Sequence, residues 1–339
     1  MTETSNSRES GSSLFLGVDV GGTGIKMGVV DDAGQPLAMS RLDTLEDRGP
    51  EDALQRVYAA AQQLFEKNQL PWECLAAIGL GVPGTMDIPR GLILAPPNLP
   101  HWRNFPIRDR LAEIAGRPVA FANDANAAAY GEFWIGRGKT CDSMIMLTLG
   151  TGVGGGVIVN GKCIDGSNSF GSECGHLLVD SREDARLCVW DGGQGQLEAY
   201  ASASAVARRM HELLKAGEPS SLREGVADFE SLTPLDLAVA ADDGDELSLR
   251  IIAEAGRYLG IGIVTLVHVI DPGMVVLGGA MNFGGDEAPA GRYFLQAIKD
   301  EFRRRAFDVV RDTTEIAYAS LGSDAGYIGA AGYARMSCS

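Results

Sequence analysis

Apolar positions fall along this chain in short bursts, and their spacing alternates between continuous runs and a helical period. Leu14–Val20 is an apolar run of strand formers, followed by Gly21-Gly22-Thr23-Gly24 and a second apolar run, IKMGVV, that closes in the turn letters DDAG. Two such runs about so short a connection predict a β-hairpin. Over residues 50–68, Ala53, Leu54, Val57, Ala60, Ala61 and Leu64 recur at helical spacing. AAIGLGVPG reads as a buried strand ending in a Gly/Pro loop, PVAFAND as another strand, and ANAAAYGEFWIG as a helix. MIMLTLGTGVGGGVIVNG then repeats the opening pattern of apolar strand, Gly-Thr-Gly, apolar strand and turn. LEAYASASAVARRMHELLKAG predicts one helix. Residues 222–247 mix acidic and apolar letters and predict partial helix. Residues 249–270 predict a long apolar helix, stopped by Asp271-Pro272-Gly273. MVVLGGAM predicts a buried strand, and IAYASLGSDAGYIGAAGYARM a strand, a loop and a terminal helix. Interleaved strands and helices with internal hairpins predict an α/β protein with mixed sheets.

The repeat is informative. Gly22-Thr23-Gly24 aligns with Gly150-Thr151-Gly152, and Gly28 with Gly156, which suggests a duplicated fold with one hairpin per domain. A length of 339 residues, 45% hydrophobic, also suggests two domains. Gly150, Gly152 and Gly155 spell G-x-G-x-x-G, the dinucleotide pattern. That site needs a helix straight after the glycines, because the helix N-terminus meets the pyrophosphate. Here β-branched VIVNG follows, and no G-x-x-x-x-G-K-[ST] loop occurs anywhere. What remains is a hairpin whose glycine backbone, lacking Cβ atoms, can bring N–H groups close to a phosphate.

Charge narrows the classes further. The net charge is −16 and no basic cluster exceeds Arg303-Arg304-Arg305, which argues against a nucleic-acid partner. That triplet reads as a solvated helix face. No apolar run approaches the roughly 18 residues of a membrane span, so no membrane partner is expected. Residues 1–13 are polar, without an apolar signal region, and read as a disordered tail. Six cysteines are scattered without a C-x-x-C pair, which suggests reduced thiols and a cytoplasmic location.

DVGGTGIK (19–26), LGTGVGGG and LGGAM (277–281) resemble the phosphate-1, phosphate-2 and adenosine motifs of the actin–hexokinase ATPase superfamily. Within it the chain resembles the ROK family of bacterial sugar kinases and repressors, over about residues 14–335 and nearest its glucokinases. The resemblance implies two domains of duplicated actin-like (ribonuclease H-like) fold with an interdomain cleft. The smaller would comprise residues 14–122 and 325–339, the larger 123–324. It implies ATP-dependent phosphorylation of a hexose at the 6-hydroxyl, glucose first. Fructose, mannose, allose or an N-acetylhexosamine are alternatives, and a non-catalytic sugar-sensing protein is a reading of a different class. ATP would sit on Asp19, Gly21, Gly22, Thr23, Lys26, Gly150, Thr151, Gly152, Gly278 and Gly279. Asp19 would approach Mg²⁺ through water, as that hard cation prefers. Alone, Asp19 would read as a turn cap and Lys26 as an exposed strand lysine.

Asp124 opens a helix and by itself reads as an N-cap. The resemblance makes it the general base for the attacking hydroxyl, a role that typically contributes ~10²–10⁴ in rate. Asn98, Asn123, Asp124, Glu173, His176 and Glu198 would bind sugar hydroxyls, and a homodimer is implied. Two departures from the family stand out. ROK kinases carry C-x-C-G-x-x-G-C-x-E, a structural zinc site completed by a histidine. Aligned on Glu198, its cysteines fall here at Val189, Asp191 and Gln196, with Cys188 one place off. Valine cannot ligate and glutamine is a poor ligand, so no zinc is expected. Hydrogen bonds and tight turns at Gly192, Gly193 and Gly195 should hold this loop instead. Residues 1–13 are also too short for a repressor's helix-turn-helix, which needs roughly 20 residues.

Overall fold

Buried strands alternate with amphipathic helices to give two sheets with matching topology. The computed structural model describes residues 13–189, 192–224, 226 and 228–338. The expected tail, apart from Ser13, and Asp191 lie outside the described residues. The described parts of Met1–Ile135, Ser167–Phe170 and Asp324–Ser339 form one compact unit, and Gly136–Gly166 with Gly171–Ser323 a second.

The first unit begins with the antiparallel hairpin β1 (Leu14–Val20) and β2 (Gly24–Val30), extended by β3 (Pro36–Asp43). Then come α1 (Gly49–Lys67), β4 (Leu75–Val82), the two-stranded β5 (Thr85–Asp87) and β6 (Leu92–Ala95), α2 (Ile107–Ala115), β7 (Val119–Asn123) and α3 (Asp124–Trp134). The sheet order is β3-β2-β1-β4-β7, with β1, β4 and β7 parallel. The last helix of the chain, α10 (Ala325–Cys338), packs on β1, β4 and α3. It lies so close that a Cβ on Gly17 would come 1.7 Å from the Tyr327 carbonyl oxygen, and one on Gly79 1.7 Å from that of Ala330. Glycine is required at both positions. Because α3 packs on α10, the unit runs on to Ile135, where the sequence placed a boundary at residue 122.

The second unit repeats the plan. β8 (Met144–Leu149), β9 (Val153–Val159) and β10 (Lys162–Cys163) form the antiparallel part. After them come α4 (Glu198–Ala201), α5 (Ala203–Lys215), α6 (Pro234–Asp242), α7 (Glu246–Ile270), β11 (Met274–Gly278), α8 (Pro289–Arg305), α9 (Asp308–Thr313) and β12 (Glu315–Tyr318). The order β10-β9-β8-β11-β12 mirrors the first sheet, with β8, β11 and β12 parallel. By length and composition α7 alone among the described helices could cross a membrane. Its apolar face is instead buried: Ile252, Leu259, Ile263 and Val267 are fully enclosed in the core of this unit.

Two expectations change, and a third is made definite. The single helix predicted from LEAYASASAV is two, because Ser202 is extended (φ −86°, ψ 162°) and caps α5 by accepting from the Ala205 N–H at 3.1 Å. The long helix begins earlier than residue 249, at Glu246, where Asp245 accepts from the Ser248 N–H at 2.8 Å. In residues 222–247 the helical part is α6 with the start of α7.

Candidate active site

In the first unit the candidate residues gather at the carboxyl ends of β1, β4 and β7, the end where open α/β sheets place ligands. Asp19 faces Lys26 across the hairpin, and Lys26 faces Arg41 on β3, so three charges form a row across the sheet. Burial pushes the Asp19 carboxyl up to about 7. The charge of Asp124 pushes the same way, while Lys26 and Arg41 oppose both. Asp19 lies against the first turn of α10, where a Cβ on Gly326 would come within 2.2 Å of Oδ2. Lys26 is buried, pairs with Asp324 just before α10, and holds its ammonium 5.6 Å from the Tyr327 ring centre. Its charge is therefore shared with Asp19 and Asp324 before any phosphate arrives.

The hairpin tip is pinned from β3's end. The Gly21 N–H donates to the Gly24 carbonyl (2.9 Å), the Thr44 hydroxyl to the Gly21 carbonyl (2.7 Å), and the Thr44 N–H to the Thr23 carbonyl (3.0 Å). Thr23 is exposed at the tip. Gly22 lies beside Asn98, with room for a Cβ only 3.1 Å from that of Asn98. At the end of β7 the N-cap is Asn123 rather than Asp124. Its Oδ1 accepts from the Ala125 and Asn126 N–H groups at 2.9 and 3.4 Å. Asp124, half-buried, opens α3 and accepts the Ala125 N–H at 2.9 Å through one oxygen.

In the second unit Gly150, Thr151, Gly152, Gly278 and Gly279 come together at the carboxyl ends of β8 and β11. Gly279 has φ +92°, and a Cβ there would sit 2.2 Å from the Leu149 carbonyl oxygen. That oxygen accepts the Met281 N–H at 2.9 Å, which holds the turn against β8. The tip of the β8–β9 hairpin closes through the Gly150 N–H to the Gly152 carbonyl (3.0 Å). The α4–α5 junction then grips it. The Ala203 N–H donates to the Gly150 carbonyl (2.8 Å), and the Ser204 hydroxyl to that of Thr151 (2.8 Å). Glu198 Oε2 accepts the Val153 N–H at 2.7 Å. A Cβ on Gly152 would meet that same oxygen at 2.4 Å.

Glu173 and His176 lie on the loop after β10, with His176 Nε2 4.0 Å from Glu173 Oε2. Partial loss of water raises the Glu173 carboxyl. His176 opposes this and the Glu198 charge adds to it, so all three candidates share one electrostatic neighbourhood. The loop lies on β9: Cys174 is buried where Gly155 leaves room, and its thiol is pushed up to about 12 by burial and then by Glu173.

The residues at the family's zinc positions do not fit a zinc ion. Val189 offers no donor, and the Gln196 amide lies on Gly193, where a Cβ would come within 2.1 Å of Nε2. Among the described residues no three His, Cys, Asp or Glu side chains are grouped so as to hold a metal. The loop is held by its backbone. The Cys188 N–H donates to the Gly193 carbonyl (2.8 Å), and the Gly195 N–H to the Arg186 carbonyl (2.8 Å). Gly192 and Gly195 take φ values of +71° and +72°. Tyr200 on α4 ties the loop down, accepting the Arg186 N–H (2.9 Å), donating to Asp180 (2.7 Å) and stacking on Tyr258 of α7.

Sequence reasoning missed Asp324, Arg41, Thr44 and Ser204. Asp324 and Ser204 stand in quoted segments, but nothing local marks them. Arg41 and Thr44 belong to a strand, and its end, whose exposed, alternating pattern gives a weak signal.

Comparison with known proteins identifies the family. The ROK family profile matches residues 15–336. A glucokinase of Halalkalibacterium halodurans is 35% identical over 315 residues, 93% of each chain. A ROK hexokinase from Thermus thermophilus superposes with a TM-score of 0.80 at 34% identity, covering 96% of this chain and 98% of that one. A ROK family glucokinase from Streptomyces griseus, solved in complex with glucose and AMPPNP, gives 0.76 at 32% identity, over 96% and 100%. The chain, with its actin-like ATPase fold, belongs to the ROK family.

Proposed function

We propose that this chain is an ATP-dependent hexose kinase that converts glucose to glucose 6-phosphate. The observation that carries the reading is the convergence of Asp19 and Asp124 at the carboxyl ends of β1 and β7 in one unit, beside a glycine hairpin. Such a pair suits phosphoryl transfer, which asks the protein mainly for positioning, charge neutralisation and one base. Asp124 takes the proton of the 6-hydroxyl as that oxygen attacks the γ-phosphoryl group. Glu173, His176 and Glu198, with Asn98 and Asn123, bind the sugar hydroxyls. Asn123 uses its carbonyl oxygen as the helix cap, so its amide N–H groups are the part that meets sugar. The amides of Gly22-Thr23 and Thr151-Gly152, the Thr23 and Thr151 hydroxyls and the Lys26 charge orient the phosphates, and Gly278-Gly279 passes the adenosine.

A divalent cation fits Asp19. The carboxyl is raised by burial and by a like charge, and an oxygen-preferring Mg²⁺ needs only one or two carboxylates beside the phosphates. Mg²⁺ bound with ATP supplies neutralisation of the phosphate oxygens, and Asp19 would hold it through water. The reading includes a cytoplasmic homodimer, which light scattering of the purified protein checks. The deciding experiment is coupled ADP release across a hexose panel. Glucose should give the highest kcat/KM. A higher value for another hexose overturns the glucose assignment, and no turnover on any sugar overturns the kinase.

A further inference from the structure

The loop that would carry zinc in the family carries a different device here. Cys188 is buried, and its thiol donates to Glu198 Oε1 at 3.1 Å. The other oxygen, Oε2, accepts the Val153 N–H at the base of the phosphate hairpin. One carboxylate thus joins the former zinc loop to β9. A carboxylate has about four lone-pair sites, so two such bonds leave capacity for a sugar hydroxyl. The absence of a side chain at Gly152 is what lets this carboxylate reach the hairpin. The hairpin's other ties come from α5, the helix after α4, through Ala203 and Ser204.

We propose that Cys188 is a positioning residue: its thiol holds Glu198 so that the carboxylate clamps the Val153 amide and presents its remaining lone pairs to the sugar. A thiol is a weak donor, but an ionised acceptor strengthens the bond. The device links the sugar-binding carboxylate to the nucleotide hairpin, so losing it weakens both substrates together. The inference rests on the kinase reading for its kinetic consequence but not for its structural one.

The test uses the full-length protein with Cys188→Ala and Cys188→Ser, read by hydrogen exchange and steady-state kinetics. In Cys188→Ala, exchange in the peptide spanning residues 149–153 should rise about fivefold or more while β12 in the same unit is unchanged. KM for ATP and for glucose should each rise roughly five- to tenfold, with kcat within about twofold, the scale of one hydrogen bond to a charged acceptor from a weak donor. Cys188→Ser, which restores a donor, should return both readouts to within about twofold of wild type. Unchanged hairpin exchange in the alanine variant overturns the proposal. So does equal loosening of β12, or a serine variant that behaves like alanine, since either marks a packing role. If the wild type phosphorylates no hexose, the kinase reading falls while the exchange arm still decides the clamp.

Discussion

The two glycine hairpins share a Gly-Thr-Gly tip, an antiparallel register and a place at the carboxyl ends of a parallel trio, yet different chemistry holds each one. The tip of the β1–β2 hairpin is pinned by two hydrogen bonds from Thr44, and ions border it: Asp19, Lys26 and Arg41 in a row, with Asp324 behind. The β8–β9 hairpin has no such row. Three hydrogen bonds from α4 and α5 grip it, and Glu198 is its one carboxylate. The two hairpins share a scaffold, and different residues surround each tip: ions border the first, and hydrogen bonds to α4 and α5 fix the backbone of the second.

This contrast can be broken at several points. The largest effect belongs to Asp124→Asn. It should lower kcat by about 10²–10⁴ while glucose binding, measured by calorimetry, stays within a few-fold. Turnover near the wild-type value would remove Asp124 as base. Asp19→Asn should cost about as much activity but stabilise the fold. The Asp19 carboxyl titrates at about 7 when folded against 3.8 as its ordinary value. The folded state thus disfavours the ionised form. The penalty is absent below about pH 4, grows between pH 4 and 7, and is complete above 7. The variant should gain on the order of a few kcal/mol at pH 8 and clearly less at pH 5, read from denaturant titrations at both. An equal gain at the two pH values would mean that Asp19 is not held protonated by its surroundings.

Matched glycine substitutions compare the hairpins directly. Gly152→Ala puts a methyl where the Glu198 oxygen lies, 2.4 Å away, whereas Gly22→Ala meets the Asn98 Cβ at 3.1 Å. The first should raise KM for ATP by roughly tenfold, the loss of one charge-assisted hydrogen bond, and the second by about threefold or less. Equal effects would show that the two tips are held alike. The smallest change is Ser204→Ala, which removes one neutral hydrogen bond to the Thr151 carbonyl. It should raise KM for ATP about two- to fivefold with glucose KM unchanged. A parallel rise for glucose would mean that the junction carries sugar as well as hairpin.

Much of this was legible along the chain. Both hairpins, the buried strands, the long apolar helix and the terminal helix follow from apolar runs, helical spacing and Gly/Pro punctuation. The glycine motifs could be read as phosphate loops because a strand, not the helix that a dinucleotide site needs, follows the glycines, and because the motif occurs twice. Other features left no local trace. The break at Ser202 is invisible because helical spacing continues across it, and only an extended ψ with a capping hydroxyl reveals it. Arg41 lies on a strand of mostly exposed positions that pairing with β2, rather than its own sequence pattern, holds in place. The cap on Asn123 instead of Asp124 is a choice between two good capping residues, decided by where β7 ends.

The sequence by itself determined the α/β class, the two matched glycine hairpins and the lack of zinc-ligating side chains at Val189 and Gln196, because periodicity, turn chemistry and donor type are local properties. Tertiary structure alone decided that Lys26 pairs with Asp324 from the far end of the chain. It also decided that burial and a second carboxylate raise the Asp19 carboxyl to about 7, and that Glu198 bridges Cys188 and Val153. Each of these depends on distance and on exclusion of water between residues remote in sequence, and no spacing along the chain encodes that.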